Sequence, residues 1–220
     1  MAPPFDELTL TRRLVRALPR KPSPLAGYHR QQQEVEMVQG RPDVVLVRDE
    51  REPGCRSLRQ VFAQTSLPVT TIARGMSALE SSPRDVDALM DRGRMTSAVT
   101  HRFLRPLVSS GVITLRGTVI ADLDLAKIYQ PRIWAVEVKL TKWQRSLYQS
   151  VQAKSYSNRV YAIFPVESER IVERQKTVFE RHGVGLLMFD LSAGSFETVV
   201  DAEESEPWSS YDKWYAKLRV

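Results

Sequence analysis

Residues 133–140 read Ile-Trp-Ala-Val-Glu-Val-Lys-Leu, and this segment constrains the fold more than any other. β-Branched and aromatic side chains favour a pleated strand, and successive side chains point to opposite faces. Trp134, Val136, Val138 and Leu140 then share one face, and Ile133, Ala135, Glu137 and Lys139 share the other. Glu137 and Lys139 stand i, i+2 on one side of a strand whose apolar flanks mark it as central. Burying a carboxylate and an ammonium in such a place is costly unless they serve a purpose.

Strands and helices alternate around this segment. Phe5–Leu18 has helical apolar spacing through Leu8, Leu14, Val15 and Leu18, and Asp6 and Glu7 sit at its start, where carboxylates suit the helix dipole. Residues 19–27, rich in proline, read as a loop. Tyr28–Val38 is polar and mixed, as for an edge strand. Gly40-Arg41-Pro42-Asp43 reads as a tight turn, and Val44–Val47 as a buried strand. After Leu140 the pattern predicts a helix over Lys142–Tyr156, a strand over Val160–Phe164 and a helix over Ser168–Arg181. Strands over Val184–Asp190 and Phe196–Val200 follow. Trp208, Tyr211, Trp214 and Tyr215 recur three to four residues apart, as one helical face packed on the core; a dimer contact or nucleic-acid stacking are its other uses.

A different pattern occupies the middle of the chain. Residues 48–57 are charged, contain Pro53-Gly54 and suggest a boundary, and from Leu58 to about Leu125 the apolar spacing is helical. Arg84–Asp91 reads as a short helix broken by Gly93, and Thr96–Ser109 as a second helix that starts on the N-cap residue Thr96 and ends at Gly111. Val112–Leu115 and Thr118–Ile120 form a hairpin around Arg116-Gly117. The expected division is a discontinuous core of residues 1–48 and 127–220, with residues 49–126 inserted.

Composition narrows the function classes. The 220 residues are 42% hydrophobic and 26% charged, which fits a globular protein. A formal net charge of +6 favours a polyanionic partner, because Lys and Arg displace the counterions condensed on phosphate. The single cysteine, Cys55, can make no internal disulfide, and with only three scattered histidines no Cys or His zinc cluster is possible. No apolar run is long enough to span a membrane, and the opening MAPPFDELTL lacks a basic region followed by an apolar one. A cytoplasmic protein with no membrane partner is expected.

Phosphodiester hydrolysis needs charge neutralised on the phosphate and a nucleophile made from water; a magnesium ion held by hard oxygen ligands does both. Glu137 and Lys139 meet the local geometry, and Asp43 completes the set if its strand lies beside theirs, with Glu34 and Glu36 as alternative acidic partners. Taken together, Pro42-Asp43 followed by Val44–Val47, and Ala135-Val136-Glu137-Val138-Lys139-Leu140, resemble the PD-(D/E)xK nuclease superfamily, the restriction-endonuclease-like fold. The following helix and the strand RVYAIFP are similar to its usual continuation. The resemblance covers residues 5–47 and 130–200. It implies Asp43, Glu137, Lys139 and Gln149 as catalytic residues, with Gln152 competing for the place of Gln149. It further implies Glu7, Asp43, Glu137 and Val138 as the metal set for Mg²⁺ or Mn²⁺. The 94 positions between Asp43 and Glu137 depart from the family's short hairpin, and the inserted segment accounts for them.

That segment resembles a winged helix-turn-helix in its order of helix, Gly93 turn, helix, Gly111 and hairpin. On this resemblance Val99, Phe103, Leu104 and Leu107 hold the recognition helix to its own core. Ser97, Thr100, His101, Arg102 and Arg105 face the DNA groove, and Arg116 at the wing tip meets phosphate. The expected whole is an α/β protein: a restriction-endonuclease-like core with a mixed central sheet flanked by helices, interrupted by a winged-helix module. The expected activity is metal-dependent cleavage of DNA, most naturally duplex, with a homodimer or a partner protein as possible assemblies. The competing expectation is a catalytically silent DNA-binding protein, either a regulator or a subunit of a DNA-processing assembly.

Overall fold

A computed structural model describes residues 5–18, 25, 28, 30–48 and 55–220. The expected loop over 19–27 and the boundary at 49–54 lie outside these residues, Leu25 excepted. In chain order the elements are α1 Glu7–Ala17, β1 Arg30–Gln33, β2 Val44–Arg48, β3 Arg56–Ser57, α2 Leu58–Val61, α3 Val69–Glu80 and α4 Val86–Gly93. Then come α5 Ser97–Ser109, β4 Ile113–Arg116, β5 Val119–Leu123, β6 Ile128–Tyr129, β7 Arg132–Val138 and α6 Trp143–Ala153. The chain finishes with β8 Arg159–Pro165, α7 Glu169–Arg181, β9 Gly185–Asp190, β10 Ser195–Val200 and α8 Ser210–Arg219. No helix among the described residues is long and apolar enough to cross a membrane.

The chain forms two compact units: Met1–Asp49 with Arg132–Trp208, and Glu50–Pro131 with Ser209–Val220. The first is built on a six-stranded sheet in the order β1-β2-β7-β8-β9-β10. The sheet is mixed: β7, β8 and β9 run parallel, and the pairs β1–β2, β2–β7 and β9–β10 are antiparallel. Such sheets require cover on both faces, and the alternation within β7 supplies the two apolar surfaces. Trp134, Val136 and Val138 join Leu10 and Leu14 of α1, Tyr161, Ile163 and Leu187 in one buried cluster. On the other face α6 packs on β7 and β8, and α7 packs on β9 and β10. Asp6 caps α1 by accepting the Thr9 N–H at 2.7 Å, an arrangement that also lowers the Asp6 pKa. The predicted edge strand over 28–38 is cut short. β1 ends at Gln33, Glu34 takes a left-handed φ of 48°, and Met37 bridges Gly40 in a turn where Gly40 needs φ 105°.

The second unit packs three helices, α3, α4 and α5, beside the β4–β5 hairpin. The stretch before α4 adds to that hairpin: Val86 N–H donates to Thr118 O and Ile120 N–H to Arg84 O. Phe103, Leu104 and Leu107 of α5 share one buried cluster with Ile72, Met76 and Leu79 of α3. α4 runs through Gly93, and the break falls one residue later, at Arg94 in the left-handed region with φ 47°. α5 continues through Pro106.

The tail differs from expectation in both placement and exposure. α8 packs in the second unit, against α3 and α2, so residues 209–220 belong there and not with the core strands. Trp214 is fully buried, Arg59 donates to the Leu218 and Arg219 carbonyls at the helix end, and Glu80 accepts from Ser210 and Lys213. Trp208 precedes the helix and is exposed, so it is not part of the packed aromatic face.

Gly75 sets how closely α3 and α5 approach. A Cβ there would stand 2.6 Å from the Phe103 ring, a distance that forces repacking. Gly75→Val is expected to destabilise the second unit by about 1–3 kcal/mol through overpacking. Urea unfolding followed by fluorescence in a background where Trp134, Trp143 and Trp208 are replaced by Phe, leaving Trp214 as the reporter, reads this out, and an unchanged midpoint would show that the ring moves aside freely.

Candidate active site

Antiparallel pairing of β2 with β7 places Val44 opposite Val136 and Val45 opposite Ala135. This register brings Asp43, just before β2, to the end of β7 that carries Glu137 and Val138. The ladder stops there, and the Asp43 carboxylate takes over from it: Asp43 Oδ2 accepts the Val138 N–H at 2.7 Å. Asp43 is thus not a turn residue satisfying its own loop. Glu34 and Glu36, the alternative acids, are exposed, and Glu34 pairs with Arg41 at 3.8 Å.

Lys139 follows β7 directly, its N–H still donating to Ile163 O of β8. Its side chain folds back into the site and is almost wholly buried. Four oxygens converge on its Nζ: Val138 O at 2.9 Å, Asp43 Oδ2 at 3.2 Å, Glu137 Oε2 at 3.6 Å and Glu7 Oε2 at 3.7 Å. Glu7 arrives from the first turn of α1. These four groups come from the same four residues that the resemblance implies as a metal set. Glu137 is 2% exposed, and its Oε2 has no hydrogen-bond partner among the described residues. Burial, followed by the negative charge of Asp43, raises the Glu137 pKa to about 8, while Lys139 and Arg145 pull it down less strongly.

Three carboxylates and a carbonyl around one ammonium form an all-oxygen donor set with excess negative charge. That suits a hard divalent cation. Among the described residues no three His, Cys, Asp or Glu side chains form a preassembled metal cage; here the oxygens close on Lys139 instead. The residues fit the ion by charge and donor type: Glu7, Asp43, Glu137 and the Val138 carbonyl would hold it.

A pocket of about 390 Å³ opens beside Glu137, lined by Val38, Gln39, Gly40 and Arg41 of the turn and by Arg145, Tyr148, Gln149 and Gln152 of α6. Gln149 and Gln152 both reach it, and Gln149 Oε1 is buried without a hydrogen-bond partner among the described residues. Arg41, Arg145 and Tyr148 were not singled out by sequence. α6 is amphipathic and buries Ser146, Ser150 and Ala153, so its period points Tyr148 outward, but nothing local ties that face to Glu137.

No family model matches this sequence, and no curated protein is similar to it.

In the second unit the predicted groove residues Ser97, His101, Arg102, Arg105 and Arg116 are all exposed. Thr100 is not: it is fully buried, its hydroxyl donating to the Thr96 carbonyl at 3.0 Å, and it is withdrawn from the groove face. Arg102 and Arg105 line a concavity of about 590 Å³ shared with Arg56. A second concavity, about 460 Å³, holds Arg74 of α3, Arg92 of α4 and Arg94 after it, together with Ser77, Ser81 and Tyr211. Arg92 is fixed there by two bonds to Ser81, to its carbonyl and its hydroxyl. Sequence reasoning missed this cluster because α3, α4 and α8 assemble it only in three dimensions.

The raised Glu137 pKa has a signed consequence. Glu137 binds its proton more tightly folded than unfolded, so this contribution to stability is complete below its ordinary carboxylate range and is lost as pH rises through about 8. In a chelator, thermal stability is expected to fall between pH 5 and pH 8, and Glu137→Gln to flatten that slope. Parallel profiles for the two proteins would show that Glu137 does not titrate in this window.

Proposed function

We propose that the chain is a metal-dependent endodeoxyribonuclease of PD-(D/E)xK type, with its second unit acting as a winged-helix DNA-binding module. The observation that carries the reading is the convergence of Glu7, Asp43, Glu137 and the Val138 carbonyl on Lys139 Nζ. Stability alone gives no reason to bury Glu137 and Lys139 at the end of a central strand, since apolar residues there would be cheaper. Mg²⁺ or Mn²⁺, when bound, supplies charge neutralisation at the scissile phosphate and a more acidic water.

The residues do the remainder. Asp43 is held in place by the Val138 N–H at 2.7 Å. Lys139 places its ammonium where negative charge grows on the phosphoryl oxygens, a stabilisation that counts for more in a buried site than in water. Gln149 offers an unengaged amide oxygen at the pocket wall to orient the attacking water. The wing reading is supported by the three-helix order, the β4–β5 hairpin, its pairing with the stretch before α4, and the exposed arginines of α5. In that role Arg102 and Arg105 meet DNA, and Arg116 meets phosphate.

The deciding experiment is cleavage of DNA with and without Mg²⁺ or Mn²⁺, with wild type and Glu137→Ala side by side. Cutting is expected to require the ion and to vanish in the variant, and Lys139→Ala to slow it by about 10²–10³-fold. Tight binding that ignores the ion, with no cutting of any DNA form, would replace this reading with that of a silent DNA-binding protein.

Binding is tested separately. Arg102→Ala and Arg105→Ala are each expected to weaken DNA affinity and to flatten its salt dependence by roughly one counterion per lost phosphate contact. Unchanged affinity in both would remove α5 from the interface.

A further inference from the structure

The pocket beside Glu137 has features that cutting a phosphodiester does not require. Tyr148 stands on its wall with 67% of its surface exposed, leaving its ring open to a ligand. The glutamine side chains of Gln39, Gln149 and Gln152 line the same space, and Gln149 Oε1 is an orphaned buried acceptor. Arg41 and Arg145 complete the wall; Arg41 also faces Glu34 at 3.8 Å across a largely solvated pair. An exposed ring, amides able both to donate and to accept, and two guanidiniums are the parts needed to hold one nucleotide. The ring takes the face of the base, the amides take its edge and the arginines take the flanking phosphates.

The face of a base is free only when the base is out of the duplex stack. In paired DNA both faces are covered by neighbours, and only the edges show in the grooves. A lone phosphate would need the arginines but neither Tyr148 nor three glutamines.

We propose that this pocket receives one unpaired base of the strand to be cut, so that the substrate is DNA carrying a single-stranded, gapped or frayed segment rather than continuous duplex. The proposal rests on the nuclease reading above and narrows its substrate.

The test is binding in a chelator, where turnover is silent. Fluorescence anisotropy compares a labelled continuous duplex with the same duplex carrying a short unpaired stretch. Wild type is expected to prefer the unpaired form by about ten-fold or more, in line with the worth of one base stacked on an aromatic ring. Tyr148→Ala is expected to abolish the preference and Tyr148→Phe to keep it, because stacking needs the ring and not the hydroxyl. Equal affinity of wild type for the two DNAs, or a preference that survives in Tyr148→Ala, overturns the proposal and leaves the nuclease reading standing. Failure of wild type to bind either DNA also overturns the proposal, and the cleavage assay with and without the ion decides the nuclease reading by itself.

Discussion

The pairing of β2 with β7 is the constraint on which the rest of the first unit depends. It joins the β1–β2 pair to the four strands β7 to β10, and it brings Asp43 to Val138 and Lys139. Residues 49–131 intervene between the two strands, so the pairing is remote in sequence. Closing a long flexible loop costs entropy that grows with the logarithm of its length. Here residues 55–131 are themselves folded. β3 and β6 pair in parallel, with Arg56 opposite Ile128 and Ser57 opposite Tyr129. Residues 56–57 and 128–129 are therefore tied together within the second unit. That unit has its own core, in which Trp214, Phe103 and Met76 are fully buried.

The electrostatics at the end of β7 run against stability. Glu137 and Asp43 repel, burial disfavours the charge on Glu137, and one ammonium answers three carboxylates. A sheet optimised for stability alone would place valine or isoleucine there, as it does at Ile133, Val136 and Val138 in the same strand. The apolar neighbours hold the charged residues in position: Trp134 and Val136 lock β7 against α1, and Ile163 O fixes the Lys139 backbone. Structural stability is thus supplied beside the site and given up within it, the arrangement found where a strained or unfavourable constellation is kept for use.

How much of this could be read in the sequence depended on whether period or chemistry was followed. Period was dependable. The alternation over 133–140 gave the central strand with its correct faces, and helical spacing gave α7 to within a residue, α1 two residues too early at its start and α6 three residues too long at its end. Chemistry without period misled at Thr100. A hydroxyl suggests a groove residue, yet Thr100, Phe103, Leu104 and Leu107 stand at i, i+3, i+4 and i+7, one buried face of α5. A helical threonine can satisfy its own hydroxyl on the carbonyl one turn back, as Thr100 does with Thr96, so it can be buried without any partner elsewhere. Remote partnerships were the least legible. Asp43 and Glu137 were matched only through a family resemblance, because no local pattern records which strand lies beside which. The attachment of α8 to α3 depends on Glu80 receiving Ser210 and Lys213 from the far end of the chain.

The same distinction separates the two kinds of functional residue. The oxygens around Lys139 are held on a helix turn, a strand entrance and a central strand, each fixed by backbone pairing or a buried apolar cluster. On the proposed reading these oxygens bind an ion, and hard ligands a fraction of an ångström out of place lose the geometry they exist to provide. Tyr148, Arg145, Arg102 and Arg105 stand instead on exposed helix faces, where side chains can move between rotamers while the backbone stays put. On the proposed reading that is where adaptability is wanted, since nucleic acid varies in sequence and shape while the phosphodiester does not. On that reading the rigid residues face the invariant chemistry, and the adjustable ones face the variable substrate.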